Sequence, residues 1–250
     1  VSARFVRGSL ALHALALPAV ALFPSRWAWV AATLLADHTA IVAAGLVPRS
    51  RLLGHNLTRD AEAARRAAVA LTFDDGPDPE VTPRVLDLLD AAAARATFFC
   101  IGTRVAAAPA LAAEIVRRGH RVENHTHTHR GSFYFHGRDV LAREIDLCQR
   151  TIADAVGRAP TLFRAPAGIR SPLLQPALEA ADLKLCSWTR RAFDTVRRDP
   201  IAIGASLTRA VGPGDVLVLH DGRGDVVLKA LPRVLEGLRA RGLSVVSVTG

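Results

Sequence analysis

From residue 69 onward the chain alternates short apolar runs with longer amphipathic ones, and that alternation leaves few folds open. Strand-like runs fall at 69–73, 96–101, 121–124, 161–164, 184–188, 216–219 and 244–248. Helical patterns fill the gaps at 83–94, 107–118, 140–156, 172–181, 201–211 and 226–241. Strands that alternate with helices pair in parallel, because each crossover returns the chain to the end where the next strand begins. Seven strands therefore predict an α/β domain with a parallel sheet. The residues that follow such strands collect at one end, where active sites are built.

The first 50 residues follow another pattern. Residues 10–23 are apolar apart from His13, with Pro18 among them, and residues 27–47 are apolar apart from Thr33, Asp37, His38 and Thr39. Pro24-Ser25-Arg26 separates the two runs. The second run, 21 residues long, is long enough to cross a bilayer, whereas the first is short. A cleaved signal peptide would explain the first run but not a second directly after it. The expectation is a membrane-associated helical hairpin over 1–50, a basic linker over 51–68 and a catalytic domain over 69–250. Charge inside a bilayer is costly, so Asp37-His38 is expected near a helix end or in the interface. Arginines flank the pair at Arg4 and Arg7 and again at Arg49, Arg51, Arg59, Arg65 and Arg66. The positive-inside rule then predicts a bacterial inner-membrane protein whose catalytic domain faces the cytoplasm.

The net charge of +9 rests almost wholly on arginine, since Lys184 and Lys229 are the only lysines. It favours anionic lipid or a phosphate-bearing substrate. No basic block is interleaved with aromatics, so nucleic acid is not an expected partner. Cys100, Cys148 and Cys186 are too few and too widely spaced for a disulfide framework or a cysteine zinc site, and are read as small core residues.

Chemistry concentrates where strands end. Thr72-Phe73-Asp74-Asp75-Gly76-Pro77 places two carboxylates at the end of the first run. Neighbouring side chains on extended backbone diverge, so one can ligate a metal while the other faces a reacting water. An acidic turn, or a magnesium-binding phosphoacceptor pair, is the competing reading. His125-Thr126-His127-Thr128-His129 follows the third run. His125 and His129 with Asp75 make a His₂-carboxylate set that suits Zn²⁺, and also Co²⁺ or Ni²⁺. His127 is read as supporting or exposed. His220 ends the run 216–219, and Arg164-Ala165-Pro166-Ala167-Gly168 follows the fourth run. An arginine there can hold a catalytic carboxylate. Asp194 lies six residues after Trp188 and alone says little.

Taken together, five segments in order across 69–250 resemble the polysaccharide deacetylases, the NodB-homology family or carbohydrate esterase family four. Thr72 to Pro77 resembles the first motif, and His125 to His129 the second. Arg164 to Gly168 resembles the third, Trp188 to Asp194 the fourth, and Val218-Leu219-His220 the fifth. The first two are specific; the others support them. The resemblance implies a distorted seven-stranded (β/α) barrel that removes an N-acyl group from an amino sugar by attack of metal-bound water on the amide. Asp75, His125 and His129 would hold the metal, Asp74 would be the general base, and His220 the general acid. Arg164 would orient Asp74, and Asp194 would tune His220. A non-catalytic membrane-anchored glycan- or lipid-binding relative is the alternative.

The chain departs from the family at Ala165, Ala167, Val218 and Thr195. A proline and an aromatic, a leucine, and another aromatic are usual there. One Tyr and three Trp, two of them at Trp27 and Trp29, leave little stacking surface for a long glycan. Arg190 and Arg191 are expected to bring positive charge to the mouth instead. A polyprenyl-phosphate-linked N-acyl sugar is therefore the expected substrate, with extracellular chitin, peptidoglycan or xylan as the alternative.

Overall fold

The computed structural model describes residues 2–222 and 224–249. The chain begins with α1 (Ser2–Leu22) and α2 (Trp27–Leu46), joined by a single tight turn over Pro24–Arg26. Leu15, Leu17, Leu22, Trp27, Trp29 and Leu35 on these helices are all exposed. Exposure of this kind marks an interaction with lipid or protein rather than a core. The first run, expected to be short, is the later part of a 21-residue helix. It reaches back through Arg4 and Arg7 because Ala, Phe and Leu continue the helical pattern. Asp37 lies mid-helix rather than near an end, partly buried, where it accepts a hydrogen bond from Ser9 Oγ at 2.7 Å. The helix interface shelters the carboxylate there.

After α3 (Ala61–Arg65) come β1 (Ala68–Asp74), α4 (Thr82–Ala91), β2 (Thr97–Cys100), α5 (Gly102–Ala107), α6 (Pro109–Arg117) and β3 (Arg121–Asn124). Then follow α7 (Arg138–Val156), β4 (Leu162–Phe163), α8 (Leu174–Ala180), β5 (Lys184–Leu185), β6 (Arg190–Arg191), α9 (Pro200–Thr208), β7 (Val216–His220), α10 (Val226–Arg239) and β8 (Ser244–Val246). All seven expected strands are present. β6 was not expected: two arginines carry no strand periodicity, and the element exists only through its pairing with β7.

The sheet is parallel, with order β5-β4-β3-β2-β1-β7-β6, and β8 pairs with the first half of β1. No ladder joins β5 to β6 among the described residues, so the sheet is a curled half-barrel. Part of the stretch read as a basic linker lies across that gap. Leu57 N–H donates to Leu185 O and Ser187 N–H to Leu57 O, each at 2.9 Å, and Asp60 N–H donates to Gly214 O at 2.8 Å.

Parity along the strands sorts the core. Val69, Leu71 and Phe73 of β1 and Leu217 and Leu219 of β7 pack beneath the outer helices. Their alternates Ala70, Val216 and Val218 face the barrel interior with Phe99, Cys186 and Trp188. Thr72, Asp74 and His220 share that inward parity. The helices present matching stripes: Leu141, Ile145, Cys148 and Ile152 on α7, and Val227, Leu231, Val234 and Leu238 on α10, are buried at helical spacing. Gly157 ends α7 in the left-handed conformation, with φ 74°. All three cysteines are buried and free.

Candidate active site

The inward parity of β1 and β7 brings Asp74 and His220 to the same rung, where their Cα atoms are register partners. Asp74 is buried and accepts from Arg164 Nη1 at 2.7 Å. Arg164 is itself only 1% exposed, so its other donors must be met within the fold. Nη1 also donates to Thr72 Oγ1 at 2.7 Å, Nε to Cys186 O at 3.1 Å and Nη2 to Ser187 O at 3.0 Å. The guanidinium lies over the Phe99 ring, 4.0 Å from its centroid. A planar fork fastened on all sides fixes the carboxylate it holds.

Asp75, next in the chain, would point away if the strand continued. Its φ of 74° turns the backbone, and Gly76 allows the turn to close. A Cβ on Gly76 would lie 2.4 Å from Asp221 Oδ2. Asp75 Oδ1 then lies 3.4 Å from His125 Nε2 and 3.2 Å from His129 Nε2. His125 Nδ1 donates to Arg164 O at 2.8 Å, which leaves the Nε2 lone pair directed at the carboxylate. One ligand atom from each of the three residues falls within 4.8 Å of the others. Two neutral imidazoles and a carboxylate converging on one point fit a divalent cation by donor type and number. Burial opposes the charge on Asp75, yet with the rings protonated the hydrogen bond and charge of His125 and the charges of His129 and His220 hold the carboxyl well below the usual range.

On the other side, Asp194 grips His220 twice. Oδ1 accepts from the ring Nδ1 at 2.9 Å and Oδ2 from the backbone N–H at 2.8 Å. Burial alone would lower the His220 pKa; the Asp194 hydrogen bond and the charges of Asp74, Asp194 and Asp75 outweigh it and raise the pKa. Asp74, Asp75, His125, His129 and His220 line one pocket of about 210 Å³, and Ala167, Trp188 and Arg191 supply part of its rim. Asp75, Thr126, His129, Ala167 and Phe193 all have positive φ. Strained non-glycine backbone gathered around one pocket is a mark of a functional site.

His127, read as supporting or exposed, packs against Gly102 and takes no part in the pocket wall. Not every residue expected at the mouth reaches it. Arg190 pairs with Asp215 at 3.0 Å and donates to the carbonyls of Arg209 and Ala210, so of the two arginines it is Arg191 that brings charge to the mouth. Asp221 received no role from the sequence. Burial raises its pKa to about 7, and it accepts from Thr82 Oγ1 while its N–H donates to Asp74 O. Its position directly after His220 was the available signal. Arg170 was also missed. Its Nη2 reaches three carbonyls around the end of α2: Ala44 (3.3 Å), Val47 (3.4 Å) and Ser50 (2.8 Å). The apolar hairpin thus docks on the same loop that supplies Arg164 and Ala167.

A curled parallel barrel with an Asp-His-His cluster, an arginine-held carboxylate and an aspartate-held histidine at one mouth defines a class of hydrolytic α/β domain. The chain belongs to the polysaccharide deacetylase family: the family model described as Polysaccharide deacetylase matches residues 61–186. A Bacillus cereus protein named peptidoglycan-N-acetylglucosamine deacetylase is 35% identical over 185 residues, covering 72% of this chain and 86% of the relative. A Bradyrhizobium chitooligosaccharide deacetylase is 35% identical over 192 residues, covering 71% and 87%. The crystal structure of a family 4 carbohydrate esterase from Streptomyces lividans, in complex with acetate, superposes with a TM-score of 0.67 at 33% identity, covering 72% of this chain and 91% of that one.

Proposed function

We propose that the protein is a metal-dependent N-deacetylase of an amino-sugar-containing glycan or glycolipid, held at a membrane by its N-terminal hairpin. The observation that carries this reading is the convergence of Asp75, His125 and His129 between two separately fastened proton-transfer groups, Asp74 on Arg164 and His220 on Asp194. Asp75, His125 and His129 would hold the cation, for which Zn²⁺ suits the donors best, with Co²⁺ or Ni²⁺ able to replace it. Bound there, it would polarise the acyl carbonyl and acidify a water. Asp74, fixed by Arg164, takes a proton from the attacking water. His220 gives one to the departing sugar amine, and Asp194 stabilises the imidazolium that does so. The names of the two curated relatives support N-acetylated amino sugars as the substrate class. The completeness of both proton-transfer pairs favours an enzyme over a non-catalytic relative.

The hairpin supports a lipid-linked form of that substrate. Its second helix ends on the loop that supplies Ala167 to the pocket, which supports a sugar presented at a membrane surface. The flanking arginines support a cytoplasmic catalytic domain at the bacterial inner membrane. Reporter fusions at residue 250 that are active only outside the cytoplasm would reject that side. Efficient acetate release from soluble chitooligomers without membranes would count against the lipid-linked form.

The first test is metal content of the detergent-purified chain beside a His125→Ala/His129→Ala variant. About one ion per chain, lost in the variant, is expected. Asp74→Asn should retain the ion and lose roughly 10²–10⁴ in kcat, the range of general acid–base contributions. Near-normal turnover by Asp74→Asn would remove Asp74 from the proton-transfer role.

A further inference from the structure

One cation in the pocket wall is not used by the reaction described above. Arg191 lies on β6 and lines the same pocket as Asp74 and His220. Among the described residues lining that pocket it is the only one with a permanent positive charge. Its guanidinium carbon lies 5.4 Å from the Trp188 ring centroid and 5.2 Å from that of Phe193, and Arg197 lies 5.3 Å from the same Phe193 ring. Aromatic faces hold a cation in place but satisfy none of its five N–H donors. Among the described residues Arg191 forms no ion pair, and its Nε is buried without a hydrogen-bond partner. Its neighbour shows the contrast: each guanidinium nitrogen of Arg190 donates, to Asp215 or to one of two carbonyls. Leaving the buried Nε–H of Arg191 open is unfavourable unless a ligand completes it.

We propose that Arg191, propped by Trp188 and Phe193 and reinforced by the charge of Arg197, is an anion-binding subsite, so that the amino sugar acted upon carries a phosphate or carboxylate beside its N-acyl group. The inference rests on the deacetylase reading of the same pocket. A guanidinium fork matches the oxygen geometry of either anion. Asp74 and Asp75 repel an anion, so its docking at Arg191 leaves the neutral acyl end to the carboxylate–imidazole side. The subsite thus orients the substrate as well as selecting it.

The test compares the full chain with its Arg191→Ala and Arg191→Lys variants on three probes: N-acetylglucosamine 1-phosphate, N-acetylmuramic acid and the neutral methyl N-acetylglucosaminide. The natural chain should favour one anionic probe over the neutral one by at least about ten-fold in kcat/KM, mainly through KM. That ratio should collapse toward one in Arg191→Ala and return in part in Arg191→Lys. Preference for the phosphate probe assigns a phosphorylated sugar; preference for the muramic acid assigns a sugar carboxylate. No preference in the natural chain, or an equal fall on all probes in Arg191→Ala, overturns the subsite and leaves the deacetylase reading intact. Calorimetric binding of the same probes to Asp74→Asn, with and without Arg191→Ala, reads the subsite without turnover. If no probe is hydrolysed, the binding measurement alone decides the subsite. The subsite then stands only if the anionic probe binds at least about ten-fold more weakly once Arg191 is removed.

Discussion

At the scale of single residues, each proton-transfer group of the site is fastened by one neighbour. Asp194 is that neighbour for His220. Removing its charge should lower the His220 pKa, because the imidazolium loses its counter-ion. A general acid is lost as pH rises through its pKa, so Asp194→Asn should move the alkaline limb of the kcat/KM profile to lower pH; an unmoved limb would separate His220 from that limb. His120 offers a stability counterpart away from the pocket. Burial, aided by the charge of Arg95, lowers its pKa to about 4, and its Nδ1 accepts from Ala96 N–H at 3.1 Å. The unfolded chain therefore binds a proton that the folded chain refuses between the ordinary histidine value and about 4. Stability from this group is present above that window and falls as pH drops through it. His120→Asn keeps an acceptor for Ala96 and should flatten the acid limb of a denaturation-versus-pH series.

At the scale of elements, the decisive contact is between the end of α2 and the loop after β4. A helix leaves its last carbonyls without partners, and Arg170 supplies donors and a positive charge there. The approach is close: Arg170 N–H donates to Gly45 O at 3.1 Å, and a Cβ on Gly45 would lie 2.5 Å from Arg170 O. Gly45→Val should therefore push α2 off the loop, and Arg170→Ala should leave its carbonyls open. Each is expected to destabilise the chain by about 1–3 kcal/mol in reversible denaturation. Because the loop also holds Ala167 at the pocket rim, KM should rise more than kcat falls. Unchanged stability and kinetics in both variants would make the docking incidental.

At the scale of the whole molecule, two largely exposed apolar helices stand beside a barrel that buries its own apolar side chains. Each is long and apolar enough to cross a membrane, with windows only 6% and 11% buried. The full chain should co-float with phospholipid vesicles, and a chain lacking residues 1–46 should not. A full chain that stays in the aqueous fraction without detergent would remove the membrane from the account. The truncated chain should also be less stable, since Arg170 would lose the Ala44 carbonyl at its Nη2 and the Gly45 carbonyl at its backbone N–H.

What the sequence determined by itself was local or periodic. Alternation of strand and helix patterns specifies a parallel α/β sheet, because period and length decide which elements form. Asp74, Asp75, His125, His129, Arg164 and His220 were legible because each lies at the end of a strand-like run or within five residues after it, and parallel strands bring such positions to one mouth. Only the tertiary structure decided what depends on distant partners. β6 exists through pairing with β7, not through its own pattern. Arg190 and Arg191 are indistinguishable in sequence, yet one is consumed by Asp215 and the other left facing the pocket. Arg170 gains its place from α2, 120 or more residues away along the chain, and Asp37 its shelter from Ser9, 28 residues away. The physical reason is common to all four: a side chain's role is fixed by which charges and open backbone groups folding brings against it, and neither spacing nor propensity encodes that.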